Sequence, residues 1–90
     1  MKEVWKFPCQ MEPWGVALPK GAKILSFGDQ RGTPYFWALV DPNQPPEDRE
    51  FIVVGTGHPA PDESEGSYIG TCQQMDGMLV WHLFELRGEP

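Results

Sequence analysis

The stretch from residue 23 to residue 41 constrains the fold most, because it predicts a β-hairpin whose second strand is apolar on both faces. It reads KILSFGD, then the turn signal QRGTP, then YFWALVD. Successive side chains of a strand point to opposite faces. One face of the second strand carries Tyr35, Trp37 and Leu39, and the other carries Phe36, Ala38 and Val40. Such a strand is the centre of a small β-fold or one wall of a binding surface.

Shorter apolar or alternating segments predict further strands on both sides of this hairpin. They lie at residues 4–9, 14–18, 50–56, 68–73 and 78–86. The last segment also fits a helical stripe, but the Asp76-Gly77 turn signal before it favours a strand. The 10 Gly and 10 Pro likewise favour short strands and tight turns. We therefore predict a single domain, residues 1–90, that is all-β (or strand-dominated α+β): a small antiparallel barrel or sandwich of five to six short strands.

Charge is concentrated in two proline-containing stretches, residues 41–49 and 57–67, which we predict to be loops. The formal net charge of the chain is −6, and residues 41–65 hold seven acids and one arginine. These residues account for the whole imbalance, so the remainder of the chain is neutral. Because a nucleic-acid backbone attracts the opposite charge, we expect no direct contact with nucleic acid.

Targeting signals are not evident in the sequence. No apolar run approaches the roughly 18 residues of a membrane span, and the first residues lack the apolar core of a signal peptide. We expect a cytoplasmic protein that does not contact a membrane and whose two cysteines stay reduced. Cys9 and Cys72 lack metal-ligand spacing, so they are expected to be small core-filling thiols.

The most distinctive short motif is Gly55-Thr56-Gly57-His58, which we predict as a ligand-binding candidate. Its glycines could bring backbone N–H groups towards an anion, and His58 could act as an acid, a base or a metal ligand. The glycine spacing is not that of a P-loop, and the P-loop lysine is missing. The alternative is a strand that ends in a glycine bend, with His58 at the start of the loop.

Catalytic and metal-binding patterns are weak. His58, Asp62 and Glu63 lie in one loop and do not form a closed set of metal ligands. His82 faces the same way as its neighbours two residues away, and we expect it to be a core or rim histidine with satisfied hydrogen bonds. A cysteine–histidine nucleophilic site lacks any local signature. We therefore predict no enzymatic activity, no metal and no cofactor.

Aromatic side chains give a stronger functional signal. Four Trp, two Tyr and five Phe are many for one small core, so some are expected at the surface; the alternative is that each of them belongs to the core. Exposed aromatics rimmed by acids are typical of a protein-binding patch. The candidate partner-binding residues are Tyr35, Trp37, Glu47, Asp48, Asp62 and Glu63.

Five segments resemble a family of small uncharacterised proteins encoded by bacteriophages and prophages. They are KGAKILS (20–26), WALVDP (37–42), GTGHP (55–59), YIGT (68–71) and WHLFEL (81–86). The resemblance implies an accessory protein made in the cytoplasm of a bacterial host. It brings no catalytic or binding residues that could be transferred to this chain.

The class of protein then suggests the function. Small acidic phage proteins without catalytic motifs act mostly by stoichiometric binding, so we expect a host-takeover or anti-defence protein, such as an anti-CRISPR-like inhibitor of a nuclease complex. Its partner would be a host protein or nucleoprotein complex, and the protein itself a monomer or homodimer. One alternative is a protein that sequesters a small ligand, a nucleotide or another anion. Another alternative is a minor virion component.

Overall fold

The strands form two antiparallel sheets. A computed structural model describes residues 1–88, and within them it contains seven strands and no helix. The strands are β1 (Glu3–Pro8), β2 (Trp14–Pro19), β3 (Lys23–Gln30), β4 (Thr33–Val40), β5 (Pro46–Gly55), β6 (Gly66–Gln74) and β7 (Leu79–Leu86). A three-stranded sheet has the order β1-β4-β3, and a four-stranded sheet has the order β2-β5-β7-β6. The predicted all-β fold is confirmed in the form of a sandwich. It has seven strands rather than five to six, because every one of the seven alternating or apolar segments of the sequence forms a strand.

Each sheet contains one hairpin of two consecutive strands, β3–β4 in the three-stranded sheet and β6–β7 in the four-stranded sheet. The predicted β3–β4 hairpin turns at Arg31 and Gly32, whose φ angles of 54° and 85° match a two-residue type I′ turn. The β6–β7 hairpin is also present, but its loop has four residues between Gln74 and Leu79 instead of the two predicted. Asp76 and Gly77 lie inside this loop with positive φ angles of 55° and 87°.

The core lies between the facing sides of the two sheets. Phe36 and Phe51 are fully buried, and their ring centroids are 4.7 Å apart across the sandwich. Phe7 stacks on Phe36 at 5.0 Å from the neighbouring strand. Other buried members are Leu18, Phe27, Ala38, Val40, Val53, Cys72 and Leu83. The alternation within β4 therefore sends Phe36, Ala38 and Val40 inwards.

The opposite face of β4 is covered only in part. Tyr35, Trp37 and Leu39 are half-exposed, whereas the three side chains between and after them are fully buried. The strand is thus central within its sheet and covered on one face. The two-sided apolar pattern therefore corresponds to a central strand whose second apolar row faces outwards.

The predicted loop at residues 41–49 is wrong in its second half. Only its beginning is a turn, in which the Asp41 carbonyl accepts a hydrogen bond from the Gln44 amide at 3.1 Å. β5 starts at Pro46 and pairs with β2, with Pro46 opposite Pro19 and Glu47 opposite Leu18. Backbone hydrogen bonds to β2 hold these residues in a strand, although their side chains are charged or polar. A proline at the first position of a strand is compatible with such pairing.

The sandwich is closed along one side only. β3 packs against β6, and the Gln74 amide on β6 donates to Asp29 Oδ1 at 2.6 Å and to the Gly32 carbonyl at 3.0 Å. On the other side lie the outermost strands β1 and β2, which end in Pro8 and Pro19. Within residues 1–88 no helix has the length and hydropathy needed to cross a bilayer.

Candidate functional site

The predicted ligand-binding motif forms the tight turn that follows β5. The His58 amide donates to the Gly55 carbonyl at 3.1 Å, and Gly57 has a φ of 91° that side-chain-bearing residues rarely adopt. The Thr56 amide donates to the Val80 carbonyl at 3.2 Å. The amides of Thr56 and His58 are therefore engaged within the fold, and the further polar groups of this turn include the Gly57 amide, the Thr56 hydroxyl and the His58 ring.

A chain of side-chain hydrogen bonds connects this turn to the outer face of the four-stranded sheet. His82 Nε2 lies 2.7 Å from Thr56 Oγ1, and His82 Nδ1 lies 2.8 Å from Thr71 Oγ1. Thr71 Oγ1 is also 2.6 Å from the Tyr68 hydroxyl. We call Thr56, His82, Thr71 and Tyr68 the hydroxyl–imidazole chain. The predicted rim histidine with satisfied hydrogen bonds is confirmed, and both of its ring nitrogens have partners.

Strand register builds this chain. Thr71 on β6 lies directly opposite His82 on β7, and Val54 on β5 lies opposite His82 on the other side. Directly opposed residues point to the same face of a sheet. Three of the segments that carry the phage-protein resemblance, GTGHP, YIGT and WHLFEL, supply all four side chains. The polar groups at Thr71 and Tyr68 are functional candidates that sequence reasoning missed.

Two shallow hollows adjoin the turn. One of about 180 Å³ is lined by residues 55, 56, 58 and 78–81, and the other, of about 360 Å³, also reaches Met11 and Pro59. Gly55, His58 and Trp81 line both. A Cβ atom at Gly55 would lie 3.2 Å from both His58 Cδ2 and Trp81 Cζ3, so the glycine is what lets these two rings approach β5.

The acidic candidates lie at the opposite end of the same sheet. Glu47 and Asp48 follow Pro46 at the start of β5, and Glu50 pairs with Leu86 near the end of β7. The loop that holds Asp62 and Glu63 is held at this end by Arg87, whose amide donates to the Glu65 carbonyl and whose Nε donates to the Glu63 carbonyl. We call Glu47, Asp48, Glu50 and Glu63 the acidic end. An open cleft of about 540 Å³ lies between its β5 residues and Glu85.

Asp62 has a local structural role. Its Oδ1 accepts hydrogen bonds from the Ser64 hydroxyl at 2.6 Å and the Ser64 amide at 2.9 Å. These bonds hold the pKa of Asp62 below its usual value, the hydroxyl bond contributing most. Glu65 reciprocates by accepting from the Asp62 amide at 3.0 Å. The Asp62 carboxylate therefore orders its own loop, while Glu63 is exposed beside it.

Tyr35 and Trp37 lie on the other sheet, away from both of these places. Their ring centroids are 6.3 Å apart on the outer side of β4. The structure thus distributes the predicted site residues over three surfaces: the turn after β5, the acidic end, and the outside of the three-stranded sheet. Glu47 and Asp48 lie at the same end of the sheet as the loop that holds Glu63, and neither aromatic residue lies there.

The arrangement of the described His, Cys, Asp and Glu side chains gives little support for a metal site or a reactive thiol. Within the described part of the chain, no three His, Cys, Asp or Glu side chains converge as a metal site would require. Cys9 and Cys72 are free thiols, and Cys72 is buried in the core. Desolvation, with a smaller contribution from Cys72, raises the pKa of Cys9 to about 12. A thiol with a raised pKa is a poor nucleophile near neutral pH.

A protein-family comparison decides the membership of this chain. A model described as a domain of unknown function (DUF7352) matches residues 1–90, the whole chain. The chain belongs to the DUF7352 family. In this DUF7352 chain the family region therefore includes both sheets and all three candidate surfaces. Neither the curated proteins nor the solved structures compared with it contain a match.

Proposed function

We propose that this protein acts without catalysis, by stoichiometric binding to a host protein or nucleoprotein complex. The acidic end carries this proposal, since acids of β5, residues 47–50, and the exposed Glu63 of the loop before β6 lie at the same end of one sheet. The resemblance to phage-encoded proteins supports a role in host takeover or anti-defence, with an anti-CRISPR-like inhibitor as one form. The partner would present a basic surface.

Two arginines near the acidic end make hydrogen bonds within the fold. Arg49 forms a two-point ion pair with Glu85, and Arg87 donates to a backbone carbonyl. Glu47, Asp48, Glu50 and Glu63 are exposed. Their summed field would attract a basic surface and raise the rate of encounter. The 540 Å³ cleft lined by Glu47, Asp48 and Glu50 gives such a surface a concave place to dock.

Affinity capture from host lysate with matched charge variants tests this proposal. The double variant Glu47→Gln, Asp48→Asn removes two charges from the acidic end, and the control Glu12→Gln, Asp76→Asn removes two exposed charges elsewhere. A partner retained by the control and lost or weakened with the test variant supports the proposal. Its association rate, measured with the purified partner, should fall several-fold at low salt for the test variant alone. Equal rates for both variants would overturn the role of the acidic end.

A second candidate function is binding of a small ligand beside the turn at residues 55–58. The 360 Å³ hollow favours it, because apolar walls from Met11 and Trp81 are combined there with the ring of His58. Intrinsic tryptophan fluorescence and amide chemical shifts should respond to the ligand. Titration with nucleoside monophosphates and inorganic phosphate, on the parent protein and on His58→Ala, tests it. Saturable shifts around Trp81 that His58→Ala abolishes would support this function.

A further inference from the structure

The outer side of the three-stranded sheet carries no acidic residue in the rows where its strands pair. Cross-strand register places three sets of residues on this side: Val4, Leu39 and Lys23; Lys6, Trp37 and Ser26; Pro8, Tyr35 and Gly28. We call these nine residues the outer aromatic face. Two are lysines, in a chain of 13 acids and 7 bases. Charge is therefore segregated, with the excess acids on the other sheet and its loops.

The acids that belong to this sheet alternate to its other side. Glu3 accepts a hydrogen bond from the Trp5 indole at 2.8 Å, and Asp29 accepts from the Gln74 amide at 2.6 Å. Both partners lie away from the outer aromatic face, Trp5 by strand alternation and Gln74 on β6. The carboxylates are thus directed away from Tyr35 and Trp37.

The aromatic pair is partly exposed on the outer side of the sheet. Tyr35 and Trp37 are two residues apart on the central strand, so both project from one face and both are half-exposed. Gly28 lies beside them on β3, and a Cβ there would come within 3.6 Å of Trp37 Cζ3. A larger side chain at this position would cover the indole edge. Successive aromatic rings on a sheet are the surface on which unpaired bases stack.

Positive charge surrounds the tyrosine. Lys6 Nζ lies 4.5 Å from the Tyr35 ring centroid and donates to Gln30 Oε1 at 2.8 Å, so it is oriented by a neutral partner. Lys6, Gln30, Arg31, Thr33 and Tyr35 line a hollow of about 300 Å³ at the end of the face. Two cations, an amide and a hydroxyl there are suited to a phosphate group.

Arg31 is a costly choice for its turn. It is the first central residue of the type I′ turn and has a φ of 54°, where Asn, Asp or Gly is usual. A side chain held in the left-handed region stores local strain, which often marks a functional position. The turn itself gains nothing from an arginine, whereas the hollow of about 300 Å³ gains a second cation.

We propose that the outer aromatic face binds single-stranded nucleic acid. Bases stack on Trp37 and on Tyr35, from above which Lys6 moves to a phosphate, and phosphates also contact Arg31 and Lys23. One ligand then satisfies the aromatic and the cationic features together. The net charge of −6 predicts the opposite, but charges beyond roughly 8 Å are largely screened at physiological ionic strength, so the sign of the local face decides. This inference is independent of the acidic end and extends the proposed function to the nucleic acid of a nucleoprotein partner.

Fluorescence anisotropy with 5′-fluorescein-labelled 12-nucleotide oligothymidylate and oligouridylate tests the proposal. Binding should weaken as salt rises from 50 to 200 mM, with a log–log slope of about −2 for three phosphate contacts. Lys6→Gln should lower the affinity and flatten the slope by about 0.7. Tyr35→Leu should weaken binding at least three-fold with the slope unchanged, because it removes stacking and keeps the charges.

Two controls separate this site from general electrostatics. Lys20→Gln removes an exposed charge from the turn between β2 and β3, outside the face, and should leave binding unchanged. Glu47→Gln, Asp48→Asn should also leave it unchanged, which distinguishes failure here from failure at the acidic end. Thermal melts of every variant verify folding. The proposal would be overturned if 200 µM protein at 50 mM salt caused no anisotropy change, or if Lys6→Gln and Lys20→Gln lost equal affinity for the oligonucleotide. Preferential binding of a poly-glutamate peptide would also overturn it. That result would assign the face to an acidic protein segment.

Discussion

Arg49 on β5 and Glu85 on β7 are joined by two hydrogen bonds, from Nε at 2.6 Å and from Nη2 at 2.7 Å. The remaining guanidinium nitrogen, Nη1, donates to the Ala22 carbonyl at 2.6 Å, just before β3. One half-buried side chain thus links the middle of the four-stranded sheet to the start of the opposite sheet. Its planar fork is suited to this task, because it can bind a carboxylate at two points and still donate elsewhere.

Glu85→Gln should lower the free energy of unfolding by about 2 kcal/mol, since it removes a charged acceptor and leaves the guanidinium without its counter-ion. Urea denaturation measures the change. Glu12→Gln, an exposed acid elsewhere, is the matched control and should stay within about 0.5 kcal/mol of the parent. Equal stabilities for the two variants would mean that the ion pair contributes nothing in solution.

Phe36→Ala should destabilise the protein by about 3–5 kcal/mol, because it opens a cavity against Phe51 in the centre of the core. Trp37→Ala, the next residue along β4, should lower the stability by roughly half as much because its side chain is already half-exposed. Denaturant titration of the two variants compares both faces of one strand. Losses of equal size would show that the outer aromatic face is covered in solution.

Stability should fall as pH rises above 9, through Cys9. Its pKa in the folded protein is about 12, against 9.0 for an unperturbed thiol. Between these values the unfolded chain releases a proton that the folded chain keeps, so the stabilisation is complete below pH 9 and is lost as pH rises towards 12. The parent should lose about 1.4 kcal/mol more than Cys9→Ala between pH 8 and pH 10. Parallel losses in the two proteins would contradict this, since other titrating groups cancel in the difference.

Thr71→Val should break the hydroxyl–imidazole chain at its centre. The variant keeps a β-branched side chain in β6 but loses the hydroxyl that contacts both Tyr68 and His82, and should be less stable by about 1 kcal/mol. The ¹⁵N shifts of the His82 ring should move, because Nδ1 loses its partner. Thr71→Ser retains the hydroxyl and should restore the parent ring shifts. Unchanged ring shifts in the valine variant would show that the chain is not formed.

The strand-rich fold was predictable because alternation and turn residues are local signals. The β3–β4 hairpin followed from its turn residues and from the apolar pattern of residues 35–40. The start of β5 was not predictable from its own residues, because Pro46, Glu47 and Asp48 form a strand only through pairing with β2. Which face of β4 is covered likewise depends on where the other sheet lies.

The candidate sites were likewise predictable where local sequence determines them and not where strand pairing does. Gly57 marked the turn after β5, and the turn is present. The link from Thr56 through His82 to Thr71 depends on the register of three strands, which no short stretch of sequence specifies. The one feature of the sequence that could have indicated this link was a polar residue, His82, between apolar neighbours that share its face. The acidic residues were visible, but Asp62 could be separated from Glu63 only by its hydrogen bonds to Ser64.

The placement of β1 and β2 at the open side of the sandwich has a consequence during synthesis. β1 pairs with β4 and β2 with β5, so the first strands to be made have no partner until residues 33–55 have followed. At the usual 5–20 residues per second, the nascent chain spends a few seconds with Trp5, Phe7 and Trp14 uncovered. Pro8 and Pro19 end these two strands, and a proline is a poor partner for another extended chain. The same two prolines that limit edge pairing in the folded protein thus also limit strand pairing between neighbouring nascent chains on a polysome.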